Sequence, residues 1–309
     1  MSAIETGLLT VGALSNSEYT SRLSDSGLLL RIGPFNASIE APIRALHEPL
    51  LRLYSDYPLI DAANVFNFRA KIASRRSWPR VYRRMVRFTV DGQMPHEDMP
   101  AEHALAVLEW GINLIVALRS HCYLILHSAV LEKNGNAMLL PAAPGFGKTT
   151  LCAALAHNRW RLLSDEFGMV RPGSLSFVPV PRPMALKNES INVIRSLLPD
   201  AILGPSMHGT RKGTVAHVKP PAESIVRQTE VATARWIVFP RWQKGAPFSL
   251  EPLSRAEGFM LLAMTAFNYE LLGEAAFHTA TDIVQSADCF SLVYSDLEEA
   301  IERLGELEA

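Results

Sequence analysis

The sequence predicts an α/β protein, a mixed sheet flanked by helices, with an α+β region ahead of it. Three observations carry that expectation. Residues 138–167, MLLPAAPGFGKTTLCAALAHNRWRLLSDEF, pass from apolar strand to glycine-rich loop to short helix and back to apolar strand. Asn134-Gly135, just upstream, is the dipeptide of a tight hairpin turn, so the strand entering the loop has an antiparallel neighbour and the sheet is not purely parallel. From about residue 121 onward strand and helix patterns alternate, a change of character from the residues before.

Taken in order, residues 27–38 read as a strand broken by Gly33-Pro34. A helix follows, with Ile43, Leu46, Leu50 and Leu53 on one face and Pro42 near its start. Strands are expected around 63–72 and 81–90, joined by a basic turn, then a loop over DGQMPHEDMP and a long helix over 101–120. After a boundary near 121 come the hairpin strands YLILHSAVLEK and NAMLLPA, a helix over 148–157 and a strand over RWRLLSDE. The Pro-rich residues 171–190 suggest irregular or edge-strand structure. A helix over 190–198 precedes a loop, GPSMHGTRKGT, and a buried strand, ARWIVFPRW. The C-terminal region reads as helical, with a strand at CFSLVYS before a last helix, DLEEAIERLGEL.

The 309 residues suffice for two ordinary domains, here divided as 1–121 and 122–309, the first a candidate for substrate recognition. Hydrophobic content of 48% and charge content of 20% suit a globular chain. A net charge of −1 gives no electrostatic argument for nucleic acid or an anionic membrane. Cys122, Cys152 and Cys289 are widely spaced and odd in number, so they form no disulfide or zinc pattern and a reducing compartment is expected. The first twenty residues lack a basic cluster before their apolar ones, unlike a signal peptide. The apolar run 104–118 contains Glu109 and is short for a membrane span, so a cytoplasmic protein is expected.

APGFGKTT carries the chemistry. A phosphate loop turns backbone N–H groups towards phosphate oxygens at a helix N-terminus, its lysine reaching the β and γ phosphates and its hydroxyl holding magnesium. The candidate cradle is Ala142, Ala143, Pro144, Gly145, Phe146, Gly147, Lys148, Thr149 and Thr150, with Ala142 where the usual pattern has its first glycine. The alternative is a Gly/Pro turn with a chance Gly-Lys-Thr; the apolar strand before the loop and the helix after it favour the phosphate loop.

Asp165 and Glu166 follow Lys148 by one short helix. A right-handed crossover would return the chain as a neighbouring strand ending at the same sheet edge, which brings the carboxylates beside the γ-phosphate. One would then hold Mg²⁺ and the other take a proton from an incoming hydroxyl. Residue type alone does not separate the two roles; Asp165 is preferred at the metal and Glu166 as base. The competing reading is a helix-capping pair at a strand end.

LHSAVLEKNGNAMLLPAAPGFGKTTL…RLLSDE resembles the catalytic domain of HPr kinase/phosphorylase over about residues 123–245. LEWGINLIVAL, RWRLLSDE, PRPMALKNESINVIRSL, TRKGTVAHVKPP and RWIVFPRW resemble the HPr kinase-related kinase A family along most of the chain. The resemblance implies a P-loop HPr kinase-like fold and an ATP-dependent kinase with Mg²⁺, acting on a hydroxyl of a protein or peptide, usually serine. It puts His127 at the family histidine and Asp165 and Glu166 at the two acidic positions, with Lys148 as the catalytic cation. Glu166 replaces an aspartate, and the glycine-rich signature thought to serve phosphorolysis is not recognisable in PRPMALKNESINV. Kinase activity is therefore expected without phosphorolysis, on an acceptor other than HPr.

Arg182, Lys187, Arg211 and Lys212 are loop cations able to meet phosphate or simply to be solvated; Arg211 and Lys212, between Gly209 and Gly213, look best placed to move over a nucleotide. Residues 62–90 hold eight basic side chains and no acidic one (Arg69, Lys71, Arg75, Arg76, Arg80, Arg83, Arg84, Arg87). A solvated face of two strands explains them best, and a nucleic-acid or acidic-protein surface is the alternative. The competing functions are a nucleotide-binding scaffold without transfer activity and a small-molecule kinase. Oligomeric state is left open, a homo-oligomer included.

Overall fold

The computed structural model describes residues 9–75 and 84–307. Contacts divide the chain into two compact units, Met1–Val116 with Ile202–Lys219, and Ala117–Ala201 with Pro220–Ala309. The boundary between the two opening stretches thus falls at 116, and the segment Ile202–Lys219 groups with the first of them.

The first unit begins with α1 (Asn16–Ser21), capped by the Ser15 hydroxyl. Gly33-Pro34 joins β1 (Leu28–Ile32) and β2 (Phe35–Glu40) as a hairpin. The helix α2 (Arg44–Tyr54) buries Leu46, Leu50 and Leu53 and leads to β3 (Phe68–Arg75), which pairs in parallel with β2. β4 (Met85–Val90) and β5 (Met99–Pro100) complete a five-stranded sheet in sequence order. The basic turn falls on residues 76–83, outside the described residues; at its margins Arg87 forms a two-pronged pair with Asp98, and Lys71 pairs with Glu40.

A 3₁₀ turn extends α3 (Ala104–Arg119), so the element reaches back to Ala101 and is long and apolar enough to cross a membrane; 61% of its apolar window is buried inside the protein. Gly111 is what lets it lie close to the sheet, because a Cβ there would stand 2.4 Å from the Phe88 ring. Buried Glu109 accepts a 2.7 Å hydrogen bond from the Tyr54 hydroxyl.

The second unit opens with β6 (Leu124–Lys133) and β7 (Asn136–Pro141), antiparallel about Asn134 (φ 54°) and Gly135 (φ 81°), the left-handed pair of a tight hairpin turn. Then come α4 (Lys148–Ala156), β8 (Arg161–Ser164), β9 (Phe167–Val170), β10 (Ser176–Val178), β11 (Met184–Lys187) and α5 (Glu189–Leu197). The residues expected as a loop at 204–214 instead form a hairpin of the first unit, β12 (Met207–Thr210) and β13 (Gly213–Val218). Its glycines read as a loop, but Gly209 (φ 69°) and Gly213 (φ 84°) flank a tight turn. The chain returns to the second unit as α6 (Ala222–Val226), β14 (Ala232–Trp242), β15 (Ser249–Pro252), α7 (Arg255–Ala263), α8 (Tyr269–Leu272), α9 (Glu274–Ser286), β16 (Asp288–Tyr294) and α10 (Leu297–Gly305).

These strands make a mixed sheet in the order β10-β9-β6-β7-β14-β16-β15, with β8 also paired to β6. β7, β14 and β16 run parallel; β6 is antiparallel to β7, β8 and β9. Both faces are covered. Leu124, Leu126, Val130, Leu139 and Ile237 pack with Leu262, Ala280 and Ile283 of α7 and α9, while α4 lies against β6, β7 and β8, with α10 and α5 beside it. Two-sided burial explains the unbroken apolar runs in these strands, each fully buried Leu or Ile contributing about 1.5–3 kcal/mol. The mixed α/β architecture with flanking helices is the one the sequence predicts.

One connection differs from expectation. β8 does not lie next to β7; β6 stands between them, antiparallel to both. β7 and β8 therefore still point the same way. The acidic pair does follow the end of β8, but a strand resumes at once: Ser164 pairs with Val130 and Phe167 with His127, so Asp165 and Glu166 interrupt one continuous line of pairing.

Candidate functional site

The loop between β7 and α4 is shaped by two glycines. Gly145 (φ 92°) needs left-handed backbone with open space around it. Gly147 (φ 86°) needs it too, and a Cβ there would stand 2.7 Å from the Tyr294 hydroxyl and 3.0 Å from the Trp242 Cβ. Ala142 is buried, and among the described residues of this loop positive φ falls on the two glycines and not on Ala142. That is why alanine serves where the usual pattern has glycine. No side chain caps the N-terminus of α4, so its first N–H groups, at the positive end of the helix dipole, have no side-chain acceptor.

Lys148 opens α4 with 7% of its surface exposed. Its ammonium donates to the Asp165 backbone carbonyl and lies 3.7 Å from Asp165 Oδ1 and 3.9 Å from Glu166 Oε2. His127 Nδ1, from β6, stands 3.6 Å from Glu166 Oε1. The structure thus brings together Lys148, Asp165, Glu166 and His127, contributed by α4, the β8–β9 break and β6. The side-chain separations exceed hydrogen-bond length, so these charges attract without satisfying one another.

Ser164 makes the break. Its hydroxyl accepts the N–H groups of Glu166 (3.3 Å) and Phe167 (3.0 Å), taking donors the strand ladder would use. Register places the break opposite Ser128 and Ala129, and Ser128 pairs with Pro141 at the end of β7. The carboxylates and the loop consequently leave the sheet at the same level.

The two acids differ. Asp165 is buried, with no hydrogen-bond partner on Oδ1. Burial pushes its pKa above the ordinary value; Lys148 opposes, Glu166 adds to the rise, and a hydrogen bond with the Thr149 side chain lowers it. The Glu166 side chain is 38% exposed and faces His127. Burial and the Lys148 charge hold the His127 pKa below its ordinary value against the pull of Glu166, which favours neutral imidazole. The His127 ring packs edge-on against Phe267, 5.4 Å between centroids, and its backbone N–H donates to Thr265.

Of the loop cations, the Lys187 charge is felt at both His127 and Asp165. Arg182 is buried in the loop between β10 and β11. Arg211 and Lys212 form the β12–β13 turn in the first unit, with the Lys212 ammonium 5.3 Å from the centre of the Trp110 ring.

Sequence reasoning missed Ser164, Trp242 and Tyr294. A hydroxyl directly before an acidic pair was a readable signal for the first. Trp242 and Tyr294 come from distant strands: the Trp242 N–H donates to the Phe146 carbonyl at 3.1 Å and the Tyr294 hydroxyl to that of Gly147 at 3.4 Å. No protein-family model matches the chain, and comparison with curated proteins gives no match either.

Proposed function

We propose that the chain is an ATP-dependent kinase with a P-loop, HPr kinase-like fold of the HPr kinase-related kinase A type, transferring the γ-phosphate to a serine hydroxyl of a protein or peptide. The observation that carries the reading is Lys148 at an uncapped helix N-terminus, 3.7 Å and 3.9 Å from two carboxylates. A protein that only bound phosphate would have no use for the second acid.

The donors fit a magnesium ion associated with phosphate. Such an ion takes one or two protein ligands and keeps waters and phosphate oxygens for the rest. Thr149 and Asp165 would hold it, since Asp165 Oδ1 is buried without a hydrogen-bond partner and the two side chains already meet. Magnesium-bound ATP, when present, supplies the transferable phosphoryl group. The backbone N–H groups of 142–150, Pro144 and Phe146 excepted, and the Lys148 ammonium compensate phosphate charge.

Glu166 takes the role of base. It is the more exposed acid, so an acceptor hydroxyl can reach it, and the proton passes to a carboxylate oxygen. His127, neutral and fixed by Phe267 and Thr265, orients that carboxylate. Asp165 is the metal-side acid, because a bound cation relieves the charge that burial penalises.

The test is ADP formation and phosphopeptide formation by the purified chain with Mg²⁺ and ATP, guided by phosphoproteomes of host cells with and without it. Lys148→Ala is expected to abolish both. Unchanged turnover in that variant sinks the kinase reading, and ATP binding without transfer in the unsubstituted chain leaves a nucleotide-dependent scaffold.

A further inference from the structure

Two exposed rings flank the phosphate loop. Phe146, inside the loop, is 41% exposed, and Trp242, the last residue of β14, is 47% exposed. Their backbones are joined by the Trp242 N–H to Phe146 carbonyl bond. The Trp242 indole N–H donates to the Ser295 carbonyl at 3.1 Å, which fixes the ring by its edge and leaves much of its surface to solvent. The Arg241 guanidinium stands 6.0 Å from the Phe146 ring centre. Exposing large rings costs free energy unless something covers them.

Topology says what does. On one side of β7 lie β6 and then β8, which leads into the acidic pair. On the other lie β14 and β16, both parallel to β7 and ending level, with Trp242 paired to Tyr294. Ligands of such sheets lie beyond the carboxyl ends of the strands. An elongated molecule held at the loop, with its reacting end towards Asp165 and Glu166, has its far end over Trp242.

We propose that Trp242 and Phe146, with Arg241 beside them, form the stacking platform for the purine base of the nucleotide held by the loop. The proposal rests on the phosphate-loop reading and adds the base subsite to it. Stacking reads the face of a base and not its hydrogen-bonding edge, so the platform accepts adenine and guanine alike.

The test is calorimetric titration of the full chain, in Mg²⁺, with ATP, GTP and inorganic tripolyphosphate. ATP and GTP are expected to bind with similar affinity, each about tenfold or more tighter than tripolyphosphate. Trp242→Ala should bring ATP down to the tripolyphosphate level and leave tripolyphosphate unchanged, while Trp242→Phe keeps most of the difference. Phe146→Ala should lose part of it. Equal binding of ATP and tripolyphosphate by the unsubstituted chain overturns the platform, as does a Trp242→Ala variant that weakens both ligands equally. A strong preference between ATP and GTP overturns it too. If neither tripolyphosphate nor ATP binds, the phosphate-loop reading falls and the platform with it.

Discussion

The strand β6 carries a carboxylate cluster near each end, and the two are built differently. Near its C-terminal end Glu132 and Arg161 are buried partners at 2.5 Å. Arg161 also donates to the carbonyls of Arg227 and Glu230, both at 3.0 Å, and Glu132 accepts the Gly135 N–H at 2.6 Å. Burial alone would raise the Glu132 pKa, yet the Gly135 and Arg161 hydrogen bonds hold it below the ordinary value. Near the other end Lys148, Asp165, Glu166 and His127 stand 3.6–3.9 Å apart, and burial wins at Asp165. Burial and opposite charge are common to both clusters. What separates them is that the Glu132 hydrogen bonds are completed within the protein, whereas Asp165 Oδ1 and His127 Nδ1 are buried without a hydrogen-bond partner.

The largest expected effect breaks the completed end. Glu132→Ala strands the Arg161 charge in the interior, and urea unfolding should report a loss of about 3–5 kcal/mol. A loss below about 1 kcal/mol would mean that the pair is not structural. At the other end Glu166→Gln should lower phosphoryl transfer by about 10²-fold or more while ATP affinity and melting temperature stay as they were. Normal transfer by that variant would remove Glu166 as base.

Asp165→Asn sharpens the contrast because it should stabilise the nucleotide-free protein. It removes a charge that burial penalises, and a rise in melting temperature of about 2–4 °C is expected, together with loss of Mg²⁺-dependent activity. A fall in melting temperature would show that the Lys148 attraction outweighs burial.

The smallest effect is in pH dependence, and the two ends have opposite sign. Glu132, with its pKa lowered from 4.5, stabilises the fold above that value and loses the contribution as pH falls through the lowered one. Asp165, raised from 3.8, favours the fold below its ordinary value, and that contribution is lost as pH rises through the raised one. The gap in melting temperature between Asp165→Asn and the unsubstituted chain should therefore widen with rising pH. The cost of Glu132→Gln should grow in the same direction. A constant gap for either variant would refute the assigned sign.

Much of this was legible because local signals decided it. Asn134-Gly135 has no other good conformation between two apolar strands, and Gly147 and Lys148 mark a strand-to-helix turn by composition. What was not legible depended on distant pairing. The sequence places β8 one helix after β7, which suggests adjacency, but β6 takes the intervening position through the hairpin. Residues 204–214 looked like a loop because their glycines were read as breaks, whereas Gly209 and Gly213 flank the tight turn of a hairpin whose Met207 and Thr210 are buried. That the chain resumes as a strand just after the acidic pair was not read, because it depends on pairing with β6 and on the Ser164 hydroxyl, which takes the N–H groups of Glu166 and Phe167. The basic residues 76–83 lie outside the described residues.

Gly147 has a consequence for synthesis. The two side chains that press on it come from strands completed 95 and 147 residues later in the chain. A ribosome delivers residues in order at about 5–20 per second, so a nascent chain displays the loop sequence seconds before Tyr294 exists to brace it. Until then the left-handed turn at Gly147 lacks the Trp242 and Tyr294 side chains that stand against it in the folded chain. The bracing of that turn is complete only when β16 pairs with β14.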